Sequence, residues 1–279
     1  MSITFSSCFY IIKSKFDFAT YVEWMNNLIS LVNHFYLVIY TDENSCKYIN
    51  TGGNPKIKII IKPIEQFYHY KYKKFWIKNH EKNDSLNNKS QWNSCWELNM
   101  LWSEKIWFVK ETIERNYFEL ETEFYGWCDI GYFRNNHSDT NTSFLSNWSH
   151  PSIINRFQKD KISYACVNNY DEYLKELYHS INDKTVEGLP KQPISPYINT
   201  VAGGFFIIHK GKINWWAQLY DTKLELYFKN NYLVKDDQII LADCVFSNFE
   251  HFMLHRENNP RFDNWFMFQR ILNSTEKEY

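Results

Sequence analysis

The chain has few of the residues that break up a backbone. Among 279 residues there are 8 glycines and 7 prolines, a scarcity that excludes collagen-like and linker-like chains. The six cysteines (Cys8, Cys46, Cys95, Cys128, Cys166 and Cys244) are scattered and form no C-x-x-C pair. A cysteine-built zinc site and a disulfide framework are therefore not expected, and the thiols read as free in a reducing compartment. Neither sign of charge dominates: 31 Lys plus Arg face 32 Asp plus Glu, a net charge of −1. That balance argues against a strongly basic nucleic-acid binder. The longest apolar runs, Phe35 to Tyr40 and Ile57 to Ile61, are strand-sized and far short of a membrane span. Met1 to Cys8 carries no basic region, and Lys13 and Lys15 interrupt the apolar run that follows, so no signal peptide and a soluble, cytoplasmic chain are expected. Zincin, phosphate-loop, G-x-G-x-x-G and G-x-S-x-G patterns are missing, which counts against hydrolase, NTPase and dinucleotide-binding readings.

What the chain has in excess is aromatic side chains: 11 Trp, 20 Tyr and 22 Phe, 19% of the residues. They suit an aromatic core and a site that stacks on the rings of a ligand. The opening reads as strand, helix, strand, turn, strand. Cys8 to Ile12 is a short apolar run. Tyr21, Met25, Leu28, Ile29 and Val32 share a helical face, with capping-box spacing from Thr20 to Glu23. Phe35 to Tyr40 is a continuous apolar run, as for a strand buried on both faces. Gly52 to Pro55 turns into a third strand at Lys56 to Ile61. This alternation predicts an α/β sheet with parallel crossovers. Asn79 to Asn93 is polar and reads as a surface loop or lid. Leu98, Trp102, Ile106, Val109, Ile113 and Tyr117 form one apolar stripe, the clearest helix in the chain. Phe124 to Asp129 reads as a strand ending in a carboxylate, and Asn135 to Pro151 as a loop. Further elements follow at Ile162 to Val167, Asp171 to Ile181, Val201 to Ile208 and Ile213 to Tyr227. The segment 247–279 reads as an irregular aromatic extension. With no repeat and no linker, residues 1–279 are expected to form one domain.

Five groups of residues suggest chemistry. Asp129 stands where an apolar strand ends, the place at which open α/β sheets bind ligands. There a carboxylate can hold a divalent metal, and nearby Arg134 can pair with a phosphate; a capping role in the turn with Gly131 fits the same spacing. Gly203 and Gly204 at a strand mouth allow close approach of a ligand, or make a bend. Asp236, Asp237 and Gln238 at an element start offer a base, a hydroxyl acceptor or a metal ligand, or simply favour a helix N-terminus. Thr41 and Asp42 follow the second strand, placed for a nucleoside or for an ordinary cap. Lys105 lies at the margin of a buried helix face, placed to meet Asp129 or a phosphate, or to extend to solvent. His251 and His255 have the i, i+4 spacing of two metal ligands on a helix, but without the zincin glutamate aromatic packing is the expected reading.

In this order the motifs Tyr21-Val-Glu-Trp24, Leu37-Val-Ile-Tyr-Thr-Asp-Glu43, Met100-Leu-Trp-Ser-Glu-Lys105, Trp127-Cys-Asp129-Ile-Gly131-Tyr-Phe-Arg134, Ala202-Gly-Gly-Phe-Phe206 and Asp236-Asp-Gln238 resemble the bacterial HtrL/YibB-like (WlaTC-type) proteins, a branch of the GT-A glycosyltransferases. The resemblance reaches to about Phe246. It implies a single GT-A (Rossmann-like) domain with a central, mostly parallel sheet flanked by helices. It also implies transfer of a hexose or hexosamine from a nucleotide sugar, with UDP favoured, to a glycan or a protein- or lipid-linked acceptor. Asp129 would match the first residue of the family's Asp-x-Asp motif, which holds Mn²⁺ or Mg²⁺ and the diphosphate; the second position here is Gly131. Lys105 would steady that aspartate or the donor phosphates, and Thr41 and Asp42 would lie near the nucleoside. Gly203, Gly204, Asp237 and Gln238 resemble segments of the glycogenin-type retaining transferases, in which the Asp-Gln pair lies beside the transferred sugar. A non-catalytic nucleotide-sugar or carbohydrate-binding protein on the same fold is the alternative.

Overall fold

The computed structural model describes residues 2–88, 93–134, 145–197 and 199–273. Seven strands form one sheet: β1 (Thr4–Phe9), β2 (Tyr36–Thr41), β3 (Ile57–Ile61), β4 (Phe124–Cys128), β5 (Ile162–Ala165), β6 (Phe205–His209) and β7 (Phe252–His255). Their order is β3-β2-β1-β4-β6-β5-β7. The pairs β1–β2, β2–β3, β1–β4 and β5–β7 are parallel, and β6 runs antiparallel to both β4 and β5. The helices are α1 (Phe18–Ser30), α2 (Lys73–Glu81), α3 (Asp84–Asn87), α4 (Trp96–Ser103), α5 (Lys105–Arg115), α6 (Pro151–Ile154), α7 (Asp171–Asn182), α8 (Ile213–Lys229), α9 (Asp237–Ser247) and α10 (Met267–Ile271). No helix among the described residues is long and apolar enough to cross a membrane.

The expected α/β class with a central, mostly parallel sheet is what the chain forms. Alternation along β2 shows why. Leu37 and Ile39 enter one apolar cluster with Met25 and Leu28 of α1 and Phe268 of α10. Val38 and Tyr40 enter the other, with Phe108 of α5 and Trp216 of α8. All four side chains are fully buried, so both faces of the sheet are covered and a period-2 polar face has no place. Aromatics do much of the filling. Trp148 packs between Phe5 and Phe35, and Tyr40 stacks on Phe108. Gly126 in β4 is a consequence of this density. A Cβ there would lie 2.4 Å from the Phe206 carbonyl oxygen and 2.8 Å from the Phe5 ring. Gly126→Ala is expected to cost about 1–3 kcal/mol through overpacking, read as a lowered urea midpoint with an unchanged slope.

The structure corrects four sequence expectations. Helix α1 starts earlier than the Thr20 box suggests, because Asp17 is its N-cap and accepts from the Thr20 amide. The long helix from Leu98 is broken at Glu104 into α4 and α5; both halves keep the apolar stripe, so periodicity alone does not register the break. The segment 79–93 is not a loop throughout: it holds the end of α2 and all of α3, while residues 89–92 lie outside the described residues, as do 135–144 of the other expected loop. The segment 247–279 is not an irregular extension up to Asn273. β7 pairs with β5 along its length, and Phe266, Phe268 and Leu272 are core residues. His251 and His255 pack against rings, as the aromatic reading expects: His251 ends a 3₁₀ turn beside Trp215, and His255 ends β7 beside Phe157 and Phe268.

Candidate active site

From β1 the chain steps outward through β2 to β3, then returns to place β4 on the opposite side of β1. The strand order therefore reverses between β1 and β4, and ligands in open α/β sheets bind beyond the carboxyl ends at such a point. A cavity of about 430 Å³ opens there. Its wall carries Tyr10, Lys105, Asp129, Gly131, Arg134, Gly203, Gly204, Asp236, Asp237 and Gln238, with Phe16, Tyr21, Trp102 and Trp265 as aromatic surface.

At the centre is the Lys105 ammonium. Its Nζ lies 3.1 Å from Asp129 Oδ1, 3.1 Å from Asp237 Oδ2 and 2.9 Å from the Gly203 carbonyl oxygen. Three N–H groups meet three acceptors. The lysine is buried, which works against its charge, yet the two carboxylates hold its pKa above the ordinary lysine range. Asp129 also accepts from Trp127 Nε1 at 2.5 Å, and its amide donates to the Gly204 carbonyl at 2.9 Å. Its side chain is 37% exposed toward the cavity, against 6% for that of Asp237. Burial pushes the Asp237 carboxyl up to about 6; Lys105 opposes this, and the neighbouring Asp236 and Asp129 add to it.

That raised value has a sign. A carboxyl with its folded pKa above its unfolded one favours the protonated native state. Its contribution to stability is whole below the unfolded value and is lost as pH rises toward about 6. Asp237→Asn is expected to flatten the stability profile between about pH 4 and pH 6, measured as urea midpoints at steps across that range.

Each element that brings these groups together has a local reason. Asp236 is the N-cap of α9: its Oδ1 accepts from the Gln238 amide, and its Oδ2 pairs with Lys235 at 3.0 Å. The expected capping role of Asp236 is thus real, and it leaves Asp237 as the carboxylate on Lys105. Close approach requires a glycine at 203 and leaves little room at 204. A Cβ on Gly203 would lie 2.5 Å from Asp237 Oδ2, and one on Gly204 would lie 3.2 Å from Asp129 Oδ2. Gly131 is required by Trp24, whose ring would sit 2.6 Å from an added Cβ. The Arg134 guanidinium lies over that same ring at 4.2 Å, and its Nε donates to the Gly131 carbonyl. Gln238 Oε1 is buried with no hydrogen-bond donor, an acceptor beside the cavity with its bond unmade.

Thr41 and Asp42 are not brought to this site. Thr41 is buried and donates to the Phe9 carbonyl, while Asp42 caps the following turn by accepting from the Ser45 amide. Neither is among the described lining residues. Asp42 is thus a turn cap, and Thr41 ties the end of β2 to the end of β1.

Sequence reasoning passed over three supports. Glu104, fully buried at the α4–α5 break, accepts from the Tyr68 and His69 amides and pairs with His69 Nδ1 at 2.9 Å. It anchors the start of α5, on which Lys105 is the first residue. Asn79, Asn83 and Asn99 donate to the Val234 and Lys235 carbonyls, and Asn79 also accepts from the Val234 amide. They fix the approach to Asp236, Asn79 and Asn83 from the stretch that reads as polar loop and Asn99 from α4. Trp24 dictates Gly131. The one usable signal was spacing: Glu104 directly precedes a candidate lysine.

The implied divalent metal fits these residues poorly. Asp129 and Asp237 both face the Lys105 ammonium, and Trp24 fills the space a second side chain at position 131 would need. Among the described residues no group of three or more His, Cys, Asp or Glu side chains is placed to hold a metal ion. Comparison with known protein families and with curated proteins finds no match to this chain.

Proposed function

We propose that the protein is a nucleotide-sugar-dependent glycosyltransferase of the GT-A type, akin to the HtrL/YibB-like proteins it resembles. It moves a hexose or hexosamine from a nucleotide sugar, UDP-linked in the favoured case, to a glycan or a protein- or lipid-linked acceptor. The observation that carries this reading is the convergence of Asp129, Lys105 and Asp237 on one cavity at the strand-order reversal, with the Gln238 amide beside them. A cavity of this size suits a ligand of nucleotide-sugar dimensions. Tyr21 and Trp102 offer rings against which a base stacks. Arg134 offers a planar cation for a diphosphate whose charge grows as the glycosidic bond breaks. Gln238, which lines the cavity, faces the transferred sugar in the resemblance. Asp237, with a carboxyl near 6, is ionised at neutral pH and orients the acceptor hydroxyl by accepting its hydrogen bond; the hydroxyl proton passes to the departing diphosphate as the acceptor oxygen bonds the anomeric carbon on the face that the diphosphate leaves. Retention is the stereochemistry that the Asp237-Gln238 resemblance favours.

The test is a thermal-shift and turnover screen of UDP-, GDP- and CMP-sugars. One donor class is expected to raise the melting temperature and to release its nucleotide, slowly by hydrolysis and faster with acceptor. No shift with any donor would remove this reading. A binding protein on the same fold is the second reading, favoured by the saturation of all three Lys105 donors by protein acceptors. It predicts a shift without turnover.

A further inference from the structure

We infer that the Lys105 ammonium takes the place of a divalent ion, so that the cavity binds a nucleoside diphosphate group without metal and Arg134 is the cation that meets it. The inference rests on the nucleotide-sugar reading for its ligand and on geometry for the rest. A metal at Asp129, whose side chain is 37% exposed toward the cavity, needs a second protein ligand near it. Asp129 Oδ1 is held by Trp127 Nε1 and Lys105, and Oδ2 lies 3.5 Å from the same ammonium. The other carboxylate within reach, Asp237, is held by the same ammonium at 3.1 Å. Gly203 O completes the shell at 2.9 Å. This is an oxygen cage already filled by a monocation, and an added Cβ at Gly203 would lie 2.5 Å from Asp237 Oδ2. The position from which a further carboxylate would come, Gly131, is closed by Trp24.

The same tryptophan bears the alternative cation. Arg134 lies flat on Trp24 at 4.2 Å and lines the cavity with Asp129. A guanidinium is charged at every working pH and presents a planar fork to two phosphate oxygens. Gly131 therefore does two things at once. It removes the second carboxylate, and it lets the ring that carries the arginine come close.

Two measurements on the whole chain test this. In the first, free Mn²⁺ is followed by its six-line electron paramagnetic resonance signal as protein is added, with and without UDP and GDP. The expected result is an undiminished signal. A signal lost on protein addition and restored in Asp129→Asn would overturn the inference. In the second, calorimetric titrations of UDP and GDP are run in EDTA and in Mn²⁺. Equal affinities are expected in the two buffers, weakened about tenfold or more in Arg134→Gln, the range of a lost charge-assisted hydrogen bond, while the affinity of the bare nucleoside stays the same. Tightening by more than about tenfold in Mn²⁺, or an unchanged diphosphate affinity in Arg134→Gln, contradicts it. If no nucleotide binds in either buffer, the nucleotide-sugar reading and the Arg134 role fall, and the Mn²⁺ signal alone decides whether the cage excludes a metal.

Discussion

Lys105→Met is expected to lower the stability of the fold by about 3–5 kcal/mol, the cost of leaving buried charge without its partner. The variant keeps the length of the side chain and removes only the cation. Asp129 and Asp237 then face each other across the former ammonium position with the Gly203 carbonyl beside them. Two like charges in a desolvated place raise each other's pKa. The loss must therefore depend on pH in a definite sense. In the variant the carboxyls bind protons more tightly folded than unfolded, so the deficit is greatest at neutral and alkaline pH and shrinks as pH falls through the folded values. Urea denaturation of both proteins from about pH 5 to pH 8 reads this directly. A deficit that stays constant over the range means that lost packing, not uncompensated charge, is the cause. Nucleotide binding is expected to fall in parallel, because Asp237 no longer has a fixed orientation.

Gly203→Ala is expected to damage the site far more than Gly204→Ala, although the two glycines are adjacent. The added Cβ at 203 meets Asp237 Oδ2 at 2.5 Å, a distance that forces the carboxylate or the β6 entrance to move. At 204 the closest atom is Asp129 Oδ2 at 3.2 Å, which a shift of a few tenths of an ångström relieves on a side chain already open to the cavity. Overpacking of the first kind costs about 1–3 kcal/mol in stability. The functional loss is larger, since the Lys105–Asp237 contact cannot survive the displacement. Donor affinity is expected to drop beyond detection in Gly203→Ala and by less than about tenfold, or 1.4 kcal/mol, in Gly204→Ala. Equal effects would mean that both glycines serve the bend alone.

The fold class was legible because it rests on patterns that need no tertiary knowledge. Phe35 to Tyr40 is apolar at every position, and only a strand covered on both faces tolerates that. Asp129, Gly203, Gly204, Asp237, Gln238 and Arg134 were legible as candidates because each stands at the end or mouth of an apolar element. Their company was legible only in part. Lys105 reads as a helix-margin lysine, and its burial depends on two carboxylates 24 and 132 positions away. The Asn79, Asn83 and Asn99 side chains were hidden for the opposite reason. Asn79 and Asn83 stand in a stretch that reads as loop, because amides compete with the backbone for hydrogen bonds, and Asn99 stands in a helix whose reading rests on its apolar stripe. Here the same competition is put to use: the amides hold the Val234 and Lys235 carbonyls, which no strand satisfies. Glu104 was hidden because a helix broken for one residue keeps its apolar stripe. Thr41 and Asp42 misled because a capping pair and a ligand pair at the end of a strand are the same two letters. β7 was missed because a four-residue strand shows its nature only beside its partner, and β5 lies some ninety residues earlier.

The measurement that tests the central claim most directly is nucleotide release from a panel of nucleotide sugars, followed for the wild-type chain, Asp129→Ala and Asp42→Ala. The predicted result is turnover of one donor class, reduced at least about a hundredfold in Asp129→Ala, which corresponds to about 2.7 kcal/mol of transition-state stabilisation. Asp42→Ala, which alters a cap away from the cavity, keeps wild-type turnover. Release that survives unchanged in Asp129→Ala, or that is lost equally in Asp42→Ala, would contradict the assignment of the reaction to this cavity.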